Sequence, residues 1–278
     1  MQKLTKAVIP VAGSGSRLMP LTMHQPKALV GVADKTILHH LVDELANSGI
    51  KTIFIVHRPD QTAILNYVDY LKKYLQRGRV RVALRAVVAT QTKSSIDSLL
   101  YAEKFIKNEP FLLCFGDDLM DHKAILPSMA MLEIFSDIQK PIIALQRVPK
   151  DMVRFYGICK VKKIKANLFK INGLVEKPMP NKAPSNFAGV GRYILPSGIF
   201  HYCRLVKKLL DNKKEVSIID VLAQYLKDGH EIYGWPFQGR YFDGGSHVGL
   251  LKAQIHYGLK HPVFGKEIKR FLDEIHEA

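Results

Sequence analysis

Lys6-Ala7-Val8-Ile9-Pro10-Val11-Ala12 runs straight into Gly13-Ser14-Gly15-Ser16-Arg17, and the fold is read from that junction. The first part is a short apolar run of the kind that forms a buried strand. The second is a loop with two glycines. In open α/β sheets ligands bind beyond the carboxyl ends of strands, so this loop stands where a site is expected. Its glycines let the backbone approach a ligand closely and turn N–H groups toward phosphate oxygens. Arg17 adds a planar, bidentate fork for phosphate. No third glycine arrives where a dinucleotide-binding fingerprint needs one, and the Gly-Lys-Ser/Thr of a Walker A loop is missing. Taken alone, the loop reads equally well as a tight turn. Pro26-Lys27 supplies a second cation, for which a surface lysine after a proline turn is the plain alternative.

Outward from the loop, apolar runs alternate with helical patterns. Thr36 to Ser48 carries Ile37, Leu38, Leu41, Val42 and Leu45 at helical spacing and stops at Gly49. Lys51 to Val56 is β-branched and strand-like, Gln61 to Leu75 is helical, and Arg79 to Val88 is a strand. Ser95 to Ile106 is a helix, and Pro110 to Phe115 is a strand that closes on Gly116-Asp117-Asp118. Strands separated by helices imply βαβ units and a mainly parallel sheet with helices on both faces. In the second half, Ile142 to Arg147, Gly157 to Lys162, Leu168 to Val175, Gly189 to Leu195 and Ile232 to Phe237 read as strands. Lys213 to Lys227 reads as a helix, and from His247 the pattern is helical, broken at Pro262. The expected organisation is one Rossmann-like α/β domain over 1–278. Residues 1–120 form one half, 140–250 the other, and 250–278 a C-terminal helical extension.

The bulk numbers set limits on function. The 278 residues are 47% hydrophobic and 24% charged, enough to bury a sizeable core. No apolar run approaches the ~20 residues that cross a bilayer, and Ala7 to Ala12 is too short for a signal-peptide core. A cytoplasmic chain without membrane association is expected. Cys114, Cys159 and Cys203 are odd in number and far apart, which argues against disulfides and zinc. The net charge of +16 invites a nucleic-acid reading. Its cations are scattered, with modest clusters such as Arg77 to Arg85 and Lys207 to Lys214, and no aromatic-basic signature accompanies them. A solvated basic surface that attracts small polyanions is the reading adopted, with no nucleic-acid partner.

The run Ala7 to Pro20 with Gln25-Pro26-Lys27 resembles the signature of the sugar-phosphate nucleotidyltransferase family, and within it the bacterial UTP–glucose-1-phosphate uridylyltransferases. Further matches follow in order: Phe115-Gly116-Asp117-Asp118, Tyr156-Gly157, Val175-Glu176-Lys177-Pro178, Ala183-Pro184-Ser185-Asn186, Gly191-Arg192-Tyr193 and Tyr241-Phe242-Asp243-Gly244-Gly245. The resemblance covers nearly the whole chain. It implies a single nucleotidyltransferase domain, UTP and glucose 1-phosphate as substrates, UDP-glucose and pyrophosphate as products, Mg²⁺ as cofactor, and a homodimer or homotetramer.

The resemblance also implies roles. Ala12, Gly13 and Gly15 would give backbone contacts to base and phosphate. Arg17 would hold the departing β- and γ-phosphates, and Lys27 the α-phosphate. Asp117 and Asp243 would coordinate Mg²⁺, with Asp118 beside them at the nucleotide. Glu176 would accept from sugar hydroxyls, Lys177 would pair with the sugar phosphate, and Gly157 and Gly191 would admit the sugar ring. Read without the family, Asp117-Asp118 and Asp243 are ordinary turn residues and Glu176-Lys177 is a solvated charge pair. Arg192 and Tyr193 are expected to be structural, and His57 and Arg58 receive no role.

Three departures stand out. Family members carry an acidic residue where this chain has Ala28. They carry Gly-Leu-Gly-His-Ala where it has Ser94-Ser95-Ile96-Asp97-Ser98. The glutamine that reads the base has no clean counterpart, and Gln91 is the candidate for that task. Triphosphate handling therefore reads as intact and base recognition as altered. A paralogue with a different sugar or base preference, and a weakly active regulatory subunit of a true enzyme, are the alternative readings.

Overall fold

The computed structural model describes residues 3–92, 94–121, 124–210 and 215–277. The chain starts with β1 (Lys6–Pro10), a short hairpin of β2 (Gly31–Val32) and β3 (Lys35–Thr36), α1 (Ile37–Asn47), β4 (Thr52–His57), α2 (Thr62–Arg77) and β5 (Ala83–Val88). It continues through α3 (Ser95–Ile106), β6 (Phe111–Cys114), β7 (Asp118–Asp121), α4 (Pro127–Ile138) and β8 (Ile142–Arg147). Then come β9 (Gly157–Lys165), β10 (Leu168–Glu176), β11 (Phe187–Leu195), α5 (Ile199–Leu209), α6 (Ile218–Lys227), β12 (Ile232–Pro236) and β13 (Arg240–Asp243). Helices α7 (His247–Lys260) and α8 (Gly265–Glu277) finish it.

The central sheet has nine strands in the order β5-β4-β1-β6-β11-β8-β12-β10-β9. Strands β5, β4, β1 and β6 run parallel. Strand β11 opposes its neighbours β6 and β8, while β12 follows β8. Strand β10 opposes β12 and β9. Among the described residues only β10 and β11 therefore run against the rest, and the sheet is mainly parallel. Side chains alternate across it, as the pleat requires. Ile53 and Ile55 pack with α1, α2, α4 and α7, whereas Phe54 and Val56 pack with α3, α5 and α6. Helices cover both faces.

Local chemistry sets the helix starts. The Thr36 hydroxyl accepts from the His39 N–H at the head of α1, and Ser94 and Ser217 open α3 and α6 with capping boxes closed by Asp97 and Asp220. The last of these moves the start of α6 to Ile218; Lys213 and Lys214, where the sequence reading begins that helix, lie outside the described residues. Strand β5 starts at Ala83 rather than Arg79, because Gly78 and Arg79 form the turn that ends α2. Helices α4 and α5 go unread in the sequence because proline- and glycine-bearing turn signals head them. Pro127 sits in the first turn of α4, where its missing N–H costs nothing, and Gly198 precedes α5. Cys114, Cys159 and Cys203 are all buried and unpaired, and burial pushes each thiol up to about 12.

A second, two-stranded sheet pairs β7 with β13 antiparallel, in the register Asp118↔Asp243. Beneath it lies a buried ion pair. The Arg192 guanidinium, fully buried, donates from Nε and Nη2 to the two Glu44 oxygens at 3.1 and 2.5 Å. Ser128 donates to Glu44 as well, from its N–H and its hydroxyl. Removing one partner of such a pair strands a charge in the core. Glu44→Ala is expected to cost about 3–5 kcal/mol of stability, read by urea unfolding; a loss below about 1 kcal/mol would show that the Arg192 charge finds water.

Candidate active site

The carboxyl ends of β1, β4 and β6 open into a cleft of about 1200 Å³, closed on the far side by the start of β9, the end of β10 and the end of β13. Ala12, Gly13, Gly15, Arg17, Lys27, Asp117, Asp118, Gly157, Glu176, Lys177 and Asp243 all line it. Gly191 and Gln91 do not.

The glycine loop is held from below. Gly15 has a φ of 70°, and a side chain there would press on Thr22 and Lys27. The Thr22 hydroxyl donates to the Gly15 carbonyl at 2.9 Å. Gly13 faces open space. The Ala12 carbonyl is taken by Arg58, whose Nη1 donates to it at 2.7 Å while Nε and Nη2 fork onto Asp60. Arg58 thus belongs to the cleft wall, a place its position at a strand end did not reveal.

Two acids meet across the cleft floor. The Asp117 carbonyl accepts from the Gly244 N–H at 2.8 Å, which extends the β7–β13 ladder by one link and brings Asp117 beside Asp243. Lys27 Nζ lies 2.5 Å from Asp117 Oδ2, and Arg17 Nη1 lies 3.1 Å from Asp243 Oδ2. Arg17 Nη2 also reaches Asp117, at 3.8 Å. Gly245 explains why the group can close so tightly. A Cβ there would stand 2.6 Å from Asp117 Oδ2, 2.8 Å from Arg17 Nη2 and 3.0 Å from Asp243 Oδ1. Its N–H donates to Asp243 Oδ1 at 2.9 Å.

Asp118 turns inward from this pair. It accepts from the Tyr241 hydroxyl at 2.7 Å and from the Gly191 N–H at 3.1 Å. Burial, then the Asp117 and Asp243 charges, push its carboxyl up to about 8. It braces the acidic pair while still lining the cleft. Gly191, with a φ of 59°, aims its N–H at Asp118, and a side chain there would strike Met120. Its glycine serves this turn, and Gly189 is the glycine of β11 that faces the cleft.

On the opposite wall Glu176 is mostly buried, and burial raises its pKa, with Lys177 working the other way. Lys177 Nζ sits 3.5 Å from Glu176 and is over half exposed. Its backbone is left-handed, φ 47°, pinned by its N–H on the Tyr156 carbonyl. Gly157 has no room for a side chain because Ile219 already fills that volume. Glu215, Ser217 and Tyr156 join this wall.

The remaining wall is hydroxylic: Thr92, Ser94, Ser95 and Ser98 line it, with Ala28 buried nearby. Ser94 is occupied as the cap of α3, and Asp97 closes the capping box and pairs with Lys207. Gln91 lies just outside, its N–H donating to the Tyr101 hydroxyl.

Residues 6–258 match the nucleotidyl transferase family. The chain belongs to that family. It is 28% identical over 291 residues to a UTP–glucose-1-phosphate uridylyltransferase of Staphylococcus epidermidis, covering 99% of both chains. A UTP–glucose-1-phosphate uridylyltransferase 2 of Streptococcus pyogenes is 30% identical over 297 residues, covering 100% of this chain and 98% of that one. Among solved structures, a UTP-bound UGPase from Acinetobacter baumannii superimposes with a TM-score of 0.85 at 29% identity, covering 99% of each chain. A UDP-glucose pyrophosphorylase complexed with UDP-glucose gives 0.84 at 29% identity, covering 94% of this chain and 100% of that one. The doubly covered, mainly parallel α/β sheet is the nucleotidyl transferase fold of these structures.

The side chains around Gly245 leave no room for a Cβ. Gly245→Ala is expected to lower turnover roughly a hundredfold by pushing Asp117, Arg17 and Asp243 apart. Stability, read by thermal unfolding, should move little, because the displaced groups border the open cleft; unchanged turnover would show that the acidic pair need not close.

Proposed function

We propose that this protein transfers a uridylyl group from UTP to glucose 1-phosphate, forming UDP-glucose and pyrophosphate. The observation that carries this reading is the meeting of Arg17, Lys27, Asp117 and Asp243 with Glu176 and Lys177 in one cleft. The names of its full-length relatives support it. Residues 1–120 would then serve the nucleotide, 140–250 the sugar phosphate, and 250–278 the extension.

Two polyanions must approach each other, so the work of the protein is to position them and offset their repulsion. Arg17 and Lys27 rest on carboxylates in the free protein, and each can turn a cationic head to phosphate oxygens when the triphosphate enters. Arg17 is suited to the departing β- and γ-phosphates and Lys27 to the α-phosphate. The N–H groups of the Gly13–Gly15 loop hold the chain of phosphates from beneath. Glu176, fixed and half dry, accepts from sugar hydroxyls, and Lys177, exposed on a rigid turn, takes the sugar phosphate. An oxygen of that phosphate then attacks the α-phosphorus in line, and pyrophosphate leaves toward Arg17.

The acidic pair fits a hard divalent cation. Asp117 and Asp243 point oxygens at a common space, two cationic side chains already balance them, and no sulfur or imidazole stands among them. Among the described residues no group of three or more His, Cys, Asp or Glu forms a closed cage. Two carboxylates with phosphate and water complete the oxygen shell that Mg²⁺ prefers. Bound there, Mg²⁺ would neutralise the phosphate oxygens and orient the two substrates.

A second reading concerns the base. Ser94, Ser95 and Ser98 line the cleft from the stretch where the family resemblance leads one to expect glycines, which favours a paralogue with altered base preference. Among the described residues no helix is long and apolar enough to cross a membrane.

A pyrophosphate-release assay over four nucleoside triphosphates and several sugar 1-phosphates tests the proposal. Release is expected with UTP and glucose 1-phosphate and is expected to stop with EDTA. Silence with every pair would refute the enzymatic reading, and release with another base would favour the second one. Two variants separate the roles. Asp117→Ala is expected to cost turnover at every substrate level, by roughly 10²–10³-fold. Lys177→Ala is expected chiefly to raise the half-saturating glucose 1-phosphate, by roughly tenfold or more, because it removes a charged ground-state contact. Equal effects of both on turnover and saturation would contradict this division.

A further inference from the structure

We propose that a second cavity, between α4 and the β9–β10 turn, binds a small zwitterion with an apolar body, the chemistry of an apolar amino acid. The cavity holds about 480 Å³, within the range of small-molecule sites. It shares no lining residue with the cleft around Asp117 and Asp243, so binding there does not depend on uridylyl transfer. Ile134 of α4 and Trp235 of β12 line it, and both are buried, Trp235 to 6% exposure. Strand β12 is paired on both sides, by β8 and β10, and Trp235 stands opposite Ala144 in that ladder. The indole is therefore a fixed plate. Among the described residues no group accepts from its N–H. A buried tryptophan N–H usually finds an acceptor, and this one borders an open cavity without one.

Charges of both signs line the same space and do not meet. Helix α4 contributes Glu133 and Asp137, one turn apart. The turn from β9 to β10 contributes Lys165 and the Asn167 amide. No ion pair joins Lys165 to either acid. Apart from the Ser136 hydroxyl, 3.5 Å from Asp137, neither carboxylate has a partner among the described residues. Like charges at this spacing weaken a helix. The chain has 41 Lys and Arg against 25 Asp and Glu, so counter-cations are plentiful, yet none is supplied here. A ligand of both signs answers every open group. Its ammonium sits by Glu133 and Asp137, and its carboxylate accepts from Lys165, Asn167 and the Trp235 N–H. Its apolar body covers Ile134 and the indole. A simple cation leaves Lys165 and the indole N–H unanswered, and a simple anion faces two carboxylates.

Trp235 is the one tryptophan of the chain, so fluorescence and the single indole N–H resonance both report on this cavity. Three probes share one apolar body: L-leucine, isoamylamine, which lacks the carboxylate, and isocaproate, which lacks the ammonium. With the full chain, leucine is expected to change the fluorescence saturably and to move the indole resonance downfield. Each one-charge probe is expected to bind about tenfold or more weakly, the worth of a lost charged hydrogen bond. Glu133→Gln with Asp137→Asn, and separately Lys165→Gln, should each weaken leucine by a similar factor. All three positions are exposed, so the circular dichroism should not change. Leucine that leaves both signals unmoved overturns the proposal. So does isoamylamine or isocaproate binding as tightly as leucine, which would give the cavity to a single charge. A leucine response that neither variant weakens also overturns it, by placing the ligand elsewhere.

Discussion

Two carboxylates of like charge share the floor of one cleft, and the rest of the site is built around keeping them there. Asp117 and Asp243 repel each other, and burial makes that worse. Three devices hold them. The β7–β13 ladder fixes their backbones, Lys27 and Arg17 supply counter-charge, and the bare Cα of Gly245 leaves room for all four groups to meet. The free protein is therefore balanced before any substrate arrives. On the proposed function, an incoming triphosphate would compete for these cations, and the acids it releases would become available to a metal. Substrate and metal would then be coupled through this exchange of partners.

Behind the pair lies a second, largely buried layer. Asp118 is pinned by Tyr241 and by Gly191, its own carbonyl accepts from Arg192, and Arg192 is clamped by Glu44 of α1. The ladder that carries Asp243 is thus tied to a helix on one face of the sheet and to β11 in its middle. Such buried polar networks are costly when incomplete and rigid when satisfied. Here the network fixes the separation of the two acids, which on the proposed function would decide what cation can bridge them.

Much of this was readable in the chain. The apolar run before Gly13 placed the loop at a strand end, and the alternation that follows gave a parallel first half. Arg17, Lys27, Asp117, Glu176, Lys177 and Asp243 came from ordered motif matches and do converge. What escaped reading depends on three-dimensional neighbours. Gly191 serves Asp118 and lies off the cleft, yet it looks like a glycine that opens space for a ligand. Arg58 ends a strand and shows no local sign that it will cross to Ala12. Gly245 follows an aspartate as in any turn, and only the atoms around its missing Cβ reveal its purpose. The short strands β7 and β13 lack the length that makes a periodic signal visible.

The three thiols invite a different use. Cys114, Cys159 and Cys203 are all sealed in the interior, and their high pKa leaves almost no thiolate in the folded chain. Oxidants and alkylating reagents can then reach them only when the structure opens. Each cysteine is a clock on a different part of the protein: Cys114 at the end of β6 among the parallel strands, Cys159 in the edge strand β9, Cys203 on the buried face of α5. Their relative labelling rates would record which region breathes first.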